Sequence, residues 1–259
     1  MPLLSVDGVS VTFGGIVALD GLTFAVDRGQ IAGLIGPNGA GKTTLFNVIS
    51  RLYEPTSGHI TFDGHDLLTV PAHRIANIGI ARTFQNLALW PGLTVLENVM
   101  VGAHSRTRVG FVRSTLRLGS RKEDRTLREE SYQLLHELDL APYAFRPAAG
   151  MAFGTLKRIE IARALAARPK FLILDEPASG LTHQEVEELG EQVRQLRARY
   201  DLTVLLVEHH MAMVMSISDK VVVLDFGKKI ADGRPGVVQT DPAVIEAYLG
   251  APETESRGG

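Results

Sequence analysis

Residues 36–44 of the chain read Gly36-Pro37-Asn38-Gly39-Ala40-Gly41-Lys42-Thr43-Thr44. The spacing G-x-x-x-x-G-K-[ST] is that of a phosphate-binding loop, in which glycines let the backbone approach an anion closely. Consecutive backbone N–H groups form a concave anion site, and the N-terminus of the following helix adds partial positive charge. We expect the whole loop to bind a nucleotide, with Lys42 at the β- and γ-phosphates and the Thr43 hydroxyl on Mg²⁺. A structural glycine turn with an incidental lysine is the alternative interpretation.

Apolar segments on both sides place this loop between a strand and a helix. Residues 30–35 read Gln30-Ile31-Ala32-Gly33-Leu34-Ile35, and residues 45–49 read Leu45-Phe46-Asn47-Val48-Ile49. Nearer the N-terminus, residues 9–13 and 22–26 are rich in β-branched and aromatic side chains, which are typical of short strands. The dipeptides Gly14-Gly15 and Asp20-Gly21 are expected to interrupt the chain between these strands.

The pattern changes to helical spacing between about residue 93 and residue 165. Thr94 can cap a helix, with Glu97 completing a capping box, and residues 121–138 carry Glu, Arg and Leu at helical intervals. Apolar runs of strand length then alternate with helix-like segments, which indicates a parallel sheet with crossover helices. The expected strands are residues 171–174, 203–207 and 221–224, and the expected helices are residues 183–199 and 210–217.

Together these segments predict an α/β protein. We expect a P-loop NTPase core with a parallel sheet, an N-terminal antiparallel β subdomain, and an inserted α-helical subdomain over about residues 87–165. The 259 residues, 45% of them hydrophobic, suffice for one large core with a subdomain. Residues 253–259 are expected to form a disordered tail.

Two carboxylates follow the apolar run Phe171-Leu172-Ile173-Leu174. Ligands of parallel sheets bind at the carboxyl ends of the strands, so Asp175 is expected beside the phosphate loop. We expect Asp175 to hold Mg²⁺ and Glu176 to act as the general base that polarises the attacking water. A solvated acidic pair that ends a strand is the structural alternative.

The composition limits the classes of function. A net charge of -2 gives no global attraction to nucleic acid, and we expect no nucleic-acid partner. The absence of cysteine excludes disulfides and thiolate metal sites. The N-terminus lacks the pattern of a signal peptide, and no apolar run approaches the ~20 residues of a membrane span. A role at the membrane therefore requires a partner protein.

Over nearly its whole length the chain resembles the ATP-binding cassette subunits of ABC transporters. Gln85 matches the Q-loop glutamine, which contacts Mg²⁺ and the attacking water in that family, and His209 matches the switch histidine at the γ-phosphate. Residues 177–182 occupy the D-loop position, and Phe13 lies where the family has an aromatic residue that stacks on adenine. Taken singly, these positions could hold a surface glutamine, a solvated histidine and a core phenylalanine. The resemblance implies one cassette domain over residues 1–259, with catalytic roles for Lys42, Gln85, Glu176 and His209.

The family's signature motif, Leu-Ser-Gly-Gly-Gln, is altered in this chain. The aligned residues are Met151-Ala152-Phe153-Gly154-Thr155, of which Gly154 is retained. In the family the motif binds the γ-phosphate of ATP held by the opposite subunit, so Gly154 is expected at a partner's nucleotide. Our hypothesis is asymmetry, in which the site completed by Ala152 hydrolyses slowly and the site completed by a partner's intact signature is competent. Simple tolerance of alanine is the alternative.

Three stretches, residues 93–99, 157–165 and 241–250, resemble the branched-chain amino acid import subtype. The resemblance implies an ATPase that powers uptake of branched-chain amino acids or a related small solute, with ATP and Mg²⁺ as cofactors. It also implies a peripheral position at the cytoplasmic face of the cell membrane. The implied partners are a second ATP-binding subunit, in a homo- or heterodimer, integral membrane permease subunits and, indirectly, a solute-binding protein. The alternatives are a soluble ATP-dependent binding or regulatory cassette, or a transporter for urea, amides or another solute.

Overall fold

The computed structural model describes residues 1–83, 88–106 and 120–249. Two compact units make up the chain, the first consisting of Met1–Val70 and Leu205–Gly259 and the second of Pro71–Val204. The strands are β1 (Pro2–Phe13), β2 (Ile16–Asp27), β3 (Ile31–Ile35), β4 (Ser57–Phe62), β5 (His65–Asp66), β6 (Ile80–Arg82), β7 (Phe171–Asp175), β8 (Thr203–Val207), β9 (Lys220–Asp225) and β10 (Lys228–Gly233). The described α-helices are α1 (Lys42–Ile49), α2 (Val95–Gly102), α3 (Ser120–Glu137), α4 (Phe153–Ala166), α5 (His183–Tyr200), α6 (Met211–Ile217), α7 (Pro235–Val238) and α8 (Pro242–Leu249).

The first unit contains an antiparallel sheet with the strand order β2-β1-β4-β5. Gly14 and Gly15, with φ of 52° and 89°, form the two-residue turn between β1 and β2, because glycine adopts positive φ without steric cost. The interruption expected at Asp20-Gly21 is wrong, since β2 continues through it with shifts in register. The backbone N–H of Gly21 donates to the Ser10 hydroxyl (2.9 Å), and this bond joins the strands where the register is irregular.

The same unit contains strands in the order β10-β9-β3-β8, of which β8 contributes residues 205–207. Strands β3 and β9 are parallel, with Ile35 opposite Val223, and every residue of β3 is buried. Asp219 joins the starts of these strands, because its carboxylate accepts the N–H of Ile31 (2.8 Å) and its own N–H donates to the Ile31 carbonyl (2.8 Å). The antiparallel edge strand β10 was not expected from the sequence, because its residues lack an apolar alternation.

In the second unit, β6 and β7 are parallel, with Ile80 opposite Phe171, and all residues of β7 are buried. Strand β6 ends at Arg82, and residues 84–87 lie outside the described part of the chain. The β7 strand agrees with the apolar run in the sequence and extends it by Asp175.

Two helices of the second unit, α2 and α5, begin with side-chain caps. The Thr94 hydroxyl accepts the N–H of Glu97 (3.2 Å) and the Glu97 carboxylate accepts the N–H of Thr94 (2.8 Å), which confirms the expected capping box at α2. Thr182 and Glu185 form a second capping box at α5. Each box satisfies two backbone donors that a helix N-terminus leaves without an intrahelical partner.

The predicted α/β fold class is confirmed, with parallel strand pairs and a separate N-terminal antiparallel sheet. The helical subdomain over about residues 87–165 stays a prediction, and residues 253–259 lie outside the described part of the chain. Within residues 1–83, 88–106 and 120–249, every helix is too short or too polar to cross a lipid bilayer.

We expect Thr182→Ala to lower the free energy of unfolding by about 1 kcal/mol, because the N-terminus of α5 loses its side-chain acceptor. Hydrogen bonds from the backbone N–H of Thr182, and then from its hydroxyl, lower the pKa of Glu185 below its ordinary value of 4.5. The stabilisation from this carboxylate is therefore complete above pH 4.5 and is lost as the pH falls through the lowered pKa. Urea denaturation at pH 7 and at acid pH measures the free energy of unfolding of the wild type and of Thr182→Ala. Glu187→Ala, on the same helix, is the control. An equal effect of both variants at pH 7 would contradict the capping role.

Candidate active site

The phosphate loop connects β3 to α1 and is held by backbone contacts. A Cβ atom at Gly36 would lie 2.1 Å from the carbonyl oxygen of Leu224, and a Cβ atom at Gly41 would lie 2.6 Å from that of Ala18. Gly41 also has a φ of 101°, in the left-handed region. Only glycine has room at these two positions, so Gly36 and Gly41 allow the loop to lie directly against strands β9 and β2.

Lys42 begins α1, and its side chain folds back over the loop. The residue is 8% exposed, and its Nζ donates to the carbonyl oxygens of Gly36 (2.6 Å) and Pro37 (2.9 Å). Asn38 and Gly39 in the loop are exposed, and so is Thr43, the second residue of α1. The loop therefore presents exposed backbone next to one buried ammonium group, which is an arrangement suited to a polyphosphate.

A buried glutamate, Glu208, directly follows the last residue of β8. Glu208 is 2% exposed, and its carboxylate accepts the backbone N–H groups of His209 (3.0 Å) and His210 (3.4 Å). His209 is exposed beside it, in the first unit together with the phosphate loop. Sequence reasoning missed Glu208, although its signal is the same as that of Asp175, an acid directly after a buried apolar strand.

Phe13 lies at the end of β1 and is 45% exposed, so it is not a core residue. Its ring meets that of Tyr53 edge-on, with centroids 5.2 Å apart and an interplanar angle of 71°. Tyr53 is 41% exposed and was not singled out from the sequence. Two exposed aromatic rings in contact offer an apolar surface for a flat ring such as adenine.

In the second unit, Asp175 is 6% exposed at the end of β7. Its carboxylate forms an ion pair with the guanidinium group of Arg82 (2.8 Å). The backbone N–H of Asp175 donates to the Thr83 hydroxyl (3.1 Å), and Thr83 is itself 2% exposed. The pairing with Arg82 was not predicted from the sequence, because the two residues are 93 positions apart.

Glu176, the expected general base, has a strained backbone. Its φ is 46°, which is in the left-handed region that non-glycine residues rarely adopt. The residue is half-buried, in contrast to the buried Asp175 before it, and its carbonyl accepts the N–H of Ser179 (3.2 Å) in the following turn. Strain of this kind persists where the surrounding structure imposes it, commonly at functional sites.

The altered signature segment starts α4, with Ala152 as the N-cap residue. Alanine has no side-chain oxygen, so the first N–H groups of this helix have no side-chain cap. A Cβ atom at Gly154 would lie 3.0 Å from a carboxylate oxygen of Glu185, and one at Gly180 would lie 3.0 Å from the Phe153 ring. The signature segment therefore packs against the segment that occupies the D-loop position.

The expected metal ligands are oxygen donors of the kind that Mg²⁺ prefers, a hydroxyl at Thr43 and a carboxylate at Asp175. The Thr43 side chain is exposed in the first turn of α1, whereas the Asp175 carboxylate already accepts from Arg82. Gln85, the third expected ligand, lies outside the described residues. The described residues include no group of three or more His, Asp or Glu side chains that could hold a metal ion.

The structure therefore divides the expected site residues between the two units. The first unit holds Phe13, the loop of residues 36–44 and His209, and the second holds Gly154, Asp175 and Glu176.

Comparisons with known proteins match nearly the whole chain. A family model described as ABC transporter matches residues 19–179, and one described as Branched-chain amino acid ATP-binding cassette transporter matches residues 228–254. The chain is 42% identical over 250 residues to the high-affinity branched-chain amino acid transport ATP-binding protein BraF of Pseudomonas aeruginosa, with 96% of this chain and 98% of that protein covered. It is 40% identical over 250 residues to LivG of Escherichia coli, a protein of the same description, with the same coverage.

A solved structure also resembles the chain. It is described as the ADP conformation of an ATP-binding cassette of an ABC transporter, and it superposes with a TM-score of 0.85 at 31% sequence identity. The match covers 97% of this chain and 100% of that one.

We expect Arg82→Met to lower the free energy of unfolding by about 3–5 kcal/mol, because it leaves the buried Asp175 carboxylate without its cation. The double variant Arg82→Met/Asp175→Asn should lose less than the sum of the two single variants, since it removes both charges. Denaturant unfolding of the four proteins in the cycle measures the coupling. Additive losses would show that the ion pair contributes nothing to stability.

Proposed function

Because the chain belongs to the ABC transporter family, we propose that it is the ATP-binding and ATP-hydrolysing subunit of a membrane transporter for branched-chain amino acids or a related small solute. The solute assignment is supported by the similarity to BraF and LivG, which are branched-chain amino acid transport ATP-binding proteins, and by the match at residues 228–254. The observation that carries the ATP assignment is the loop of residues 36–44, with Lys42 held over its carbonyl oxygens between β3 and α1.

In this proposal the backbone N–H groups of the loop and the Lys42 ammonium bind the phosphates of ATP. Phe13, with Tyr53 against its edge, supplies the ring surface for adenine. Binding through the backbone suits phosphoryl transfer, because catalysis of that reaction consists mainly of positioning and charge stabilisation.

For hydrolysis we assign the general-base role to Glu176 and the γ-phosphate contact to His209, with Gln85 orienting the water. Mg²⁺, held by Thr43, Gln85 and Asp175, would neutralise charge on the phosphates. The structural support for these assignments is that the buried Asp175 beside Glu176 is paired with Arg82, and that the buried Glu208 accepts the backbone N–H of His209.

The partners in this proposal are a second ATP-binding subunit, integral membrane permease subunits and, through them, a solute-binding protein. The chain would then lie at the cytoplasmic face of the membrane as a peripheral subunit. Copurification of permease subunits from a detergent extract supports this assembly. Recovery of the chain without any membrane subunit would favour the alternative of a soluble regulatory cassette.

Lys42→Ala should weaken ATP binding by about 10- to 150-fold, because a hydrogen bond to a charged group is lost. Glu176→Gln should keep the ATP affinity and abolish most of the ATPase rate, since the general base is needed for hydrolysis and not for binding. Binding is measured with a fluorescent ATP analogue, and turnover is measured in the assembled complex. Lys228→Ala, at an exposed lysine of the first unit, is the control. ATP affinity that survives in Lys42→Ala would refute the proposed function.

A second cassette with an intact signature should make the two ATP sites of the assembly unequal, because Ala152 lacks the serine hydroxyl. Substituting Glu176→Gln in this chain should then remove most of the ATPase rate, and substituting the matching glutamate of the second cassette should remove little. Steady-state ATPase assays of the two assemblies provide the measurement. Equal losses from both would eliminate the asymmetry, and would indicate that alanine is tolerated at this position.

A further inference from the structure

Lys157 is a buried lysine near the start of α4. The residue is 2% exposed, and its ammonium group lies 5.5 Å from the centre of the Phe153 ring. In the part of the chain that the structure describes, no hydrogen bond or ion pair joins this ammonium group to another residue. An aromatic face attracts a cation but carries no net charge. A buried charge without a counter-charge is costly, so the position favours an anion from outside the described chain.

The direction of the Lys157 side chain adds to this cost. Lys157 is the fifth residue of α4 and Phe153 is the first, so the ammonium group reaches back by one turn toward the helix start. That end of a helix carries partial positive charge, which repels a cation and attracts an anion. The N-cap residue, Ala152, gives the first N–H groups no side-chain acceptor. Uncapped backbone donors next to a fixed cation are the two parts of a phosphate site.

Glu185 is an acid that approaches the same end of α4. A Cβ atom at Gly154 would lie 3.0 Å from Oε1 of Glu185. The other carboxylate oxygen, Oε2, accepts the backbone N–H (2.8 Å) and the hydroxyl (2.9 Å) of Thr182, and so caps α5. Because like charges repel, Oε1 weakens the binding of an anion at Gly154, and the charge of Lys157 opposes this effect.

We propose that Lys157 is the positive charge of a phosphate-binding site at the start of α4, where it compensates for the hydroxyl that Ala152 lacks. The ligand is a phosphate group, which either the nucleotide of a second ATP-binding subunit or a free anion supplies. The inference rests on the proposed function, because that function provides the second subunit and its ATP. A buried cation strengthens phosphate binding but supplies no hydroxyl to the transition state, so slow hydrolysis at this site is still expected.

The test is a titration of the full chain with tripolyphosphate, followed by the NMR signals of its backbone amides. The Gly154 signal reports on the start of α4 and the Gly41 signal reports on the phosphate loop, so the two sites are measured separately. Lys157→Met should weaken binding at Gly154 by about three- to thirtyfold, because one nearby charge is removed, and leave binding at Gly41 unchanged. Lys157→Arg keeps the charge and should retain most of the affinity.

The stability of Lys157→Met separates this role from simple packing against Phe153. In phosphate-free buffer we expect the variant to unfold about 2–4 °C higher than the wild type, because it removes a charge without a counter-charge near the positive end of a helix. A lower unfolding temperature would show that the lysine serves packing, and would overturn the inference. Lys170→Met, at an exposed lysine of the same unit, is the control and should leave the affinity at Gly154 unchanged.

The source of the phosphate is decided in an assembly in which this chain carries Lys42→Ala and the second subunit has an intact phosphate loop. The ATP that remains bound is then held by the second subunit. If its phosphate is the ligand, Lys157→Met should weaken this binding by about three- to thirtyfold, and Ala152→Ser should recover much of the loss. Unchanged ATP binding, with weakened tripolyphosphate binding at Gly154, would assign the site to a free anion.

The remaining outcomes distinguish this inference from the proposed function. No saturable change at Gly154, or equal affinity in the wild type and in Lys157→Met, would overturn the inference while binding at Gly41 upholds the proposed function. A loss in Lys157→Arg as large as that in Lys157→Met would also overturn it, because the charge would not be the cause. A wild-type chain that binds neither tripolyphosphate at Gly41 nor ATP would refute the proposed function, whatever Gly154 shows.

Discussion

The close approach of Gly36 to the carbonyl oxygen of Leu224 is the constraint on which the proposed nucleotide site depends. It sets the phosphate loop directly against the end of β9, and Gly41 makes a similar approach to Ala18 of β2. No side chain could enter at either point, so the loop is placed by main-chain contacts. Binding of phosphates by backbone N–H groups follows from this arrangement, since the loop has few side chains to offer and its backbone is held rigidly.

Two fully buried strands, β7 and β8, end in the same way. Each is followed or completed by a buried acid, Asp175 or Glu208, and then by a more exposed residue, Glu176 or His209. A buried carboxylate is costly unless it is paired or hydrogen-bonded, and the two acids meet this need differently. Asp175 pairs with the guanidinium group of Arg82, and Glu208 accepts two backbone N–H groups. The bonds of Glu208 hold the backbone of His209 directly, whereas the ion pair of Asp175 anchors the residue next to Glu176.

Helix N-termini in the second unit also differ in a way that bears on function. Helices α2 and α5 are closed by capping boxes, whereas α4 begins at Ala152 with no side-chain acceptor. An uncapped N-terminus leaves backbone N–H groups available to an external anion. With alanine at position 152 in place of the family's serine, one hydroxyl is missing, but the N–H groups at the start of α4 can still bind an anion. Unequal hydrolysis at the two ATP sites and simple tolerance of alanine are therefore both physically reasonable.

The sequence by itself determined the strand–loop–helix unit around Lys42, the capping box at Thr94 and Glu97, and the buried strands, because each depends on residues close together in the chain. It also located Asp175 and Glu176 at the end of a buried strand, since acids directly after an apolar run form a local pattern. Contacts between distant residues were decided by the tertiary structure alone, namely the pairing of Arg82 with Asp175 and the ring of Tyr53 against Phe13. No spacing in the sequence encodes such contacts, because they arise only when packing brings separate elements within the few ångströms over which hydrogen bonds and ring contacts act.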